Sequence, residues 1–90
     1  MTIRYRRSAD ALSADVGEDV VALQAARGFA YGMEGVTASV WQKLSQPITL
    51  DALVEVLLDE YEVDEAQCRR EVTALLEQLV AEQLVEELPS

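Results

Sequence analysis

A chain of 90 residues forms one small domain, and at that size folding buries only a little over ~60% of the surface an unfolded chain exposes. Half the residues are apolar and 27% are charged, a globular composition, and no apolar run approaches the ~18 residues a membrane span needs. Seventeen carboxylates against seven Lys and Arg give a net charge of −10, with twelve of those carboxylates from Asp51 onward. Affinity for nucleic acid comes mainly from cations displacing counterions at phosphates, so this balance argues against DNA, RNA and anionic membranes as partners.

The basic residues gather at Arg4, Arg6 and Arg7, in a segment (residues 1–8) expected to be flexible within a single 1–90 domain. No apolar stretch follows, so the segment does not read as a secretory signal. A single cysteine, Cys68, permits no internal disulfide, and a reducing cytoplasm is the simplest setting.

The first predicted strand carries Leu12, Ala14 and Val16 in alternation with Ser13 and Asp15, and Gly17-Glu18-Asp19 supplies turn chemistry. Residues 20–24 are a short β-branched run, residues 25–28 a hairpin turn, and Phe29, Tyr31 and Met33 alternate with Ala30 and Gly32. These make a second and a third strand. The third has unequal faces, and its side without bulk, Gly28, Ala30 and Gly32, lets another backbone approach closely or packs under a helix.

Residues 35–44 read as a first helix with Val36, Val40, Trp41 and Leu44 on one stripe, ended by Gln46-Pro47. A second helix places Leu50, Leu53, Val54, Leu57, Leu58 and Tyr61 on one 3.6-period face, capped by Thr49. The third opens with Asp64 as cap and Gln67 three residues on, a capping-box pattern. Along it Cys68, Val72, Leu75 and Leu79 make one stripe and Leu76 with Val80 a second, an arc wide enough to touch two neighbours. Leu84 and Val85 either finish this helix or start a short extended tail before Pro89. The order β-β-β-α-α-α predicts an α+β fold, a three-stranded antiparallel sheet followed by three helices, related to winged helices.

The chain has no histidine, which removes imidazole-based triads and the common His-containing zinc sites, and one cysteine cannot build a structural zinc site. Cys68 lies on an apolar helical stripe with no imidazole to ionise it, so it reads as a small buried hydrophobe. Adjacent acidic pairs such as Asp59-Glu60 point apart on a helix and read as solvated surface. No Gly-rich phosphate loop is present, and neither catalysis, a metal nor a cofactor is expected. What remains is recognition by shape and backbone. An edge strand beside an apolar helix offers unpaired N–H and C=O groups to an extended peptide. With the third strand as that edge, residues 29–31 form the floor and the third helix the wall.

On these residues the chain resembles the PqqD-like family, the RiPP recognition elements that bind the leader segment of a ribosomally made precursor peptide. The stretch GEDVVALQAARGFAYGMEGVTASVWQKL is similar to the family's sheet and first helix, and PITLDALVEVLLDEYEVDEAQCRREVTALLEQLVAEQLV to its second and third helices. Phe-Ala-Tyr-Gly-Met running into Val40-Trp41-Gln42-Lys43-Leu44 most resembles the small stand-alone members of lasso-peptide gene clusters. The resemblance implies that the leader is held as an added strand, for presentation to a leader peptidase of the cysteine-protease type, with an ATP-dependent cyclase as a further partner. It points to Arg27, Gly28, Phe29, Ala30 and Tyr31 as the strand edge and to Arg69, Val72, Thr73 and Leu76 as the helical wall. The alternatives are a PqqD-type peptide chaperone for a radical enzyme of pyrroloquinoline quinone synthesis, or a winged-helix DNA-binding protein. The second is supported only by helix order, because its would-be recognition helix is net negative.

Overall fold

The computed structural model describes residues 2–89 of the chain. Strands β1 (Ile3–Arg7), β2 (Ala11–Val16), β3 (Asp19–Gln24) and β4 (Phe29–Met33) lead into helix α1 (Gly35–Lys43). The short strand β5 (Ile48–Thr49), helices α2 (Leu50–Glu60) and α3 (Glu65–Ala81) and strand β6 (Val85–Pro89) follow. The three expected strands are β2, β3 and β4, an antiparallel sheet in chain order, and the three expected helices are present.

Local chemistry accounts for the element boundaries. Gly17 takes φ +65° as the first residue of a two-residue β2–β3 turn, and Gly28 takes φ +71° at the end of the β3–β4 turn, conformations that glycine adopts without a Cβ penalty. Thr49 Oγ1 accepts the Ala52 N–H at 3.1 Å to cap α2. Asp64 Oδ2 accepts the Gln67 N–H at 3.0 Å to cap α3. The Gln67 side chain does not return the bond, donating instead to Glu71 Oε1 one turn further on at 3.3 Å.

A second antiparallel sheet, ordered β5-β1-β6, is the main departure from the expected layout. Residues 3–7, expected to be flexible, form its central strand. Arg6 stands opposite Glu86 in the register and pairs with it, so the acidic β6 neutralises the basic β1. The Arg7 guanidinium lies 4.7 Å from the centroid of the Trp41 ring and donates to the Trp41 carbonyl at 2.8 and 3.0 Å. The Arg7 and Ser8 amides bond to the Leu44 and Leu84 carbonyls. Arg6 and Arg7 therefore anchor this segment. Leu84 and Val85 are both buried, and the chain beyond them is the extended tail, not more helix.

The core lies between the β2-β3-β4 sheet and the helices. Val20, Ala22 and Met33 come from the sheet, Val40, Trp41 and Leu44 from α1 and its end, Leu53, Val54 and Leu57 from α2, and Cys68, Val72, Leu76 and Leu79 from α3. Burial of each large apolar side chain contributes about 1.5–3 kcal/mol. This packing fixes α3 against the inner face of the sheet.

Candidate functional site

The hydrogen-bond parity of β3 decides what β4 offers to solvent. Val16 and Asp19 close the two-residue turn as a bonded pair, so Asp19, Val21 and Leu23 bond toward β2 while Val20, Ala22 and Gln24 bond toward β4. The Ala25 N–H continues the alternation by bonding Asp10 O at 3.0 Å. The β4 partners of Val20, Ala22 and Gln24 are Met33, Tyr31 and Phe29. Ala30 and Gly32 therefore turn their N–H and C=O groups outward along the edge. Both are exposed, and among the described residues neither makes a backbone bond outside the sheet.

Helix α3 runs beside this edge in the opposite direction, joined to it at successive points. Gln78 Nε2 donates to Tyr31 Oη at 3.0 Å. Beyond it, the Arg27 guanidinium stacks 5.3 Å from the Phe29 ring centroid and lies 3.5 Å from the Ala81 carbonyl. At the far end Gln24 is 1% exposed with both halves of its amide satisfied. Its Nε2 donates to Gln83 O at 2.7 Å, and its Oε1 accepts the Ala26 and Arg27 amides at 2.7 and 3.3 Å. Gln83 has φ +62°, the left-handed bend that follows α3. One buried side chain thus ties the β3–β4 turn to the end of the helix.

Helix α1, which follows β4 through Glu34, borders a pocket of about 240 Å³ together with α2 and α3. Val36 of α1, Leu57 and Tyr61 at the end of α2, and Cys68, Val72 and Leu75 of α3 line it, with Glu71 at its side. The lining is mainly apolar, suited to a hydrophobic side chain. Burial, with the Glu71 carboxylate adding to it, pushes the Cys68 thiol up from its ordinary range, so it sits in the pocket wall as a neutral thiol. The arrangement offers backbone hydrogen bonds along one line and an apolar socket among the helices.

Residues 19–85 match the family described as Coenzyme PQQ synthesis protein D (PqqD). The chain belongs to the PqqD family. Among solved structures this PqqD-family fold is similar to TbiB1 in complex with the TbiA(beta) leader peptide, with a TM-score of 0.85 and 26% identity over 90% of this chain and 94% of that one. It is also similar to lasso peptide synthetase B1 complexed with the leader peptide, with a TM-score of 0.80 over 94% of this chain and 98% of that one. At 22% identity that second likeness concerns the fold alone. No curated protein matches the chain. Among the described residues no acidic or cysteine cluster could hold a metal ion, and no helix is long and apolar enough to cross a membrane.

The PqqD-family domain brings together the five residues expected on the strand edge. Gly28 forms the turn, Arg27 and Phe29 stack, Ala30 presents its backbone, and the Tyr31 ring points toward α3. The four residues expected on the helical wall share one face of α3, but that face is turned toward α2 and the β5-β1-β6 sheet. Arg69 turns toward α2 and pairs with Asp51 at 2.6 Å, a bond that holds its guanidinium above its ordinary pKa. Thr73 donates its hydroxyl to the Arg69 carbonyl at 2.7 Å. Leu76 is buried and borders a depression beside Tyr5 and Val80, toward the β5-β1-β6 sheet. Only Val72 reaches the pocket. Gln78, which reaches Tyr31 of β4, shares instead the stripe of Glu71 and Leu75 that borders the pocket, rotated about the helix from the expected one. Arc width alone left two apolar stripes to choose from, and the choice is made by where the sheet lies. Gln24 gave no signal, since a polar residue ending a strand reads as solvated.

Proposed function

We propose that this protein binds the leader segment of a ribosomally made precursor peptide as an added strand along β4, and presents the bound precursor to the enzymes of lasso-peptide biosynthesis. The observation that carries this reading is the outward backbone of Ala30 and Gly32, together with an apolar pocket among the helices that includes Leu75. Main-chain bonds supply affinity in this mode, and pockets that accept alternate side chains supply specificity. The likeness to TbiB1, a protein solved with a leader peptide, supports it. The nine residues Arg27, Gly28, Phe29, Ala30, Tyr31, Arg69, Val72, Thr73 and Leu76 reduce, on this reading, to the first five and Val72, joined by Leu75 and Gln78.

The protein acts as a carrier and not as a catalyst, in the cytoplasm, with a leader peptidase of the cysteine-protease type and an ATP-dependent cyclase as its partners. The family description names coenzyme PQQ synthesis, so a peptide chaperone of that pathway is the reading to test against. A labelled leader peptide from the lasso precursor of the same gene cluster, titrated by fluorescence polarisation at two salt concentrations, separates them. Saturable binding between about 1 μM and tens of nanomolar, roughly −8 to −10 kcal/mol, is expected. Weak salt dependence is expected because backbone and apolar contacts dominate. Binding of a pyrroloquinoline quinone precursor in its place assigns the second reading, and binding of neither removes both.

A further inference from the structure

Strand β6 is an edge of the second sheet, and its backbone is open in the same way as that of β4. The Ser8 N–H bonds the Leu84 carbonyl at 2.9 Å, and by alternation the Arg7 N–H, which bonds the Leu44 carbonyl at 3.0 Å, faces the other way. The same alternation turns Arg4 and Arg6 toward their β6 partners, Leu88 and Glu86, and leaves the N–H and C=O of Glu87 pointing away from β1. Glu87 is exposed, and among the described residues its backbone makes no bond outside the sheet. Where β6 faces α3 there is a depression of about 340 Å³. Tyr5, Leu76 and Val80 supply its apolar lining, and Glu77 and Glu87 its charge. Tyr5 stands opposite Glu87 in the register, and its phenol is held above its ordinary pKa by burial, then by Glu87 and Glu77, so both carboxylates act on this one ring. The ion pairs of the described residues use Asp51, Glu60 and Glu86, and neither Glu77 nor Glu87 has a cation of its own there.

We propose that the groove between β6 and α3 takes an extended basic segment of a protein partner, paired with the Glu87 backbone and seating a lysine or arginine side chain between Glu77 and Glu87. Such a side chain matches the lining at both ends, since its aliphatic stem lies along apolar surface while its cationic head meets carboxylate. Charge also decides between occupants. Acidic residues on an edge strand repel a second copy presenting the same strand, and the net charge of −10 on each chain adds to that repulsion. A strand of opposite sign meets the open backbone and the free carboxylates together, so the charge that blocks self-pairing selects the partner. The groove is separate from the edge of β4. Leu76, Glu77 and Val80 lie on the opposite side of α3 from Glu71, Leu75 and Gln78, so the inference stands whether or not a leader peptide binds at β4.

The test titrates a short synthetic peptide of alternating lysine and valine into the isotope-labelled full chain and follows the backbone amide shifts. Saturable shifts concentrated at residues 76–81 and 85–88 are expected, with the Glu87 amide, the outward donor, moving most. The Glu77→Gln/Glu87→Gln variant keeps shape and loses both carboxylates, and is expected to bind the probe about tenfold or more weakly. Glu18→Gln/Glu62→Gln changes the net charge equally at exposed positions outside the groove, and is expected to bind within about twofold of wild type. Equal losses in the two variants, or shifts spread over the whole acidic surface, mean attraction to net charge alone and overturn the inference. Shifts centred on Ala30 and Gly32 place the probe at β4 and overturn it as well, as does the absence of saturable binding.

Discussion

Gln78 on α3 donates its side-chain amide to the phenolic oxygen of Tyr31 on β4 at 3.0 Å, a side-chain hydrogen bond that joins the edge strand to the helix beside it. The contact is exposed, so its net worth lies near the lower end of the ~0.5–1.5 kcal/mol of an ordinary hydrogen bond. Its consequence is geometric, since it sets the spacing of strand and helix midway along the candidate groove. Tyr31→Phe is expected to lower stability by less than ~1 kcal/mol and to change leader affinity less than about fivefold. Tyr31→Ala removes the ring itself and is expected to weaken binding about tenfold or more, as loss of an aromatic anchor does. Urea unfolding and leader titration of the two variants check this.

Ala30→Pro deletes an N–H that points outward and leaves the β3–β4 ladder intact. Leader binding should fall about tenfold or more while far-UV circular dichroism stays near wild type. Ala30→Val keeps the donor and serves as control. Equal binding by the proline and valine variants would remove strand addition at this edge.

Rotation of the helical wall makes a separable prediction. Leu75→Ala and Gln78→Ala should weaken leader binding, whereas Arg69→Ala and Thr73→Ala, facing α2 and the helix backbone, should leave it within about twofold. The Arg69–Asp51 pair is exposed, so its loss should also leave stability nearly unchanged. The reverse pattern in a titration of the four variants would restore the stripe expected from sequence.

Gln24→Leu leaves the Gln83 carbonyl and the Ala26 amide without the partner that satisfies them. Both groups belong to exposed residues and water can replace part of what they lose, so a loss of about 1–2 kcal/mol, below the sum of two full penalties of ~1–3 kcal/mol, is expected in urea unfolding. Leader affinity should fall as well, because the β3–β4 turn loses its tie to the end of α3.

Cys68 reports on the pocket directly, being the single cysteine of the chain. Its raised pKa keeps the thiolate fraction small at neutral pH and its burial restricts access, so modification by a thiol reagent should run about tenfold or more slower than for an exposed cysteine. The rate should rise with pH through and above the ordinary thiol value of 9.0. Saturating leader peptide should slow it further. A rate indifferent to the peptide would mean that the pocket stays open in the complex.

What the sequence by itself determined is what local chemistry controls. Gly17 and Gly28 mark the turns because only a residue without a Cβ takes a positive φ cheaply. Thr49 and Asp64 start α2 and α3 because their side chains satisfy amides three residues on. The 3.6-residue period of Leu53, Val54 and Leu57 names the buried face of α2. The strand edge was legible for the same reason, since alternation and small residues from Phe29 to Gly32 are properties of one short segment. Only the tertiary structure decided what depends on residues far apart in the chain. The strand Ile3–Arg7 exists because an acidic strand more than seventy residues later lies against it, and no periodicity in IRYRR foretells that. Helix α3 is apolar over so wide an arc that its sequence fits several rotations. The sheet on one side and α2 on the other select the one that turns Arg69 away and brings Gln78 to the open edge.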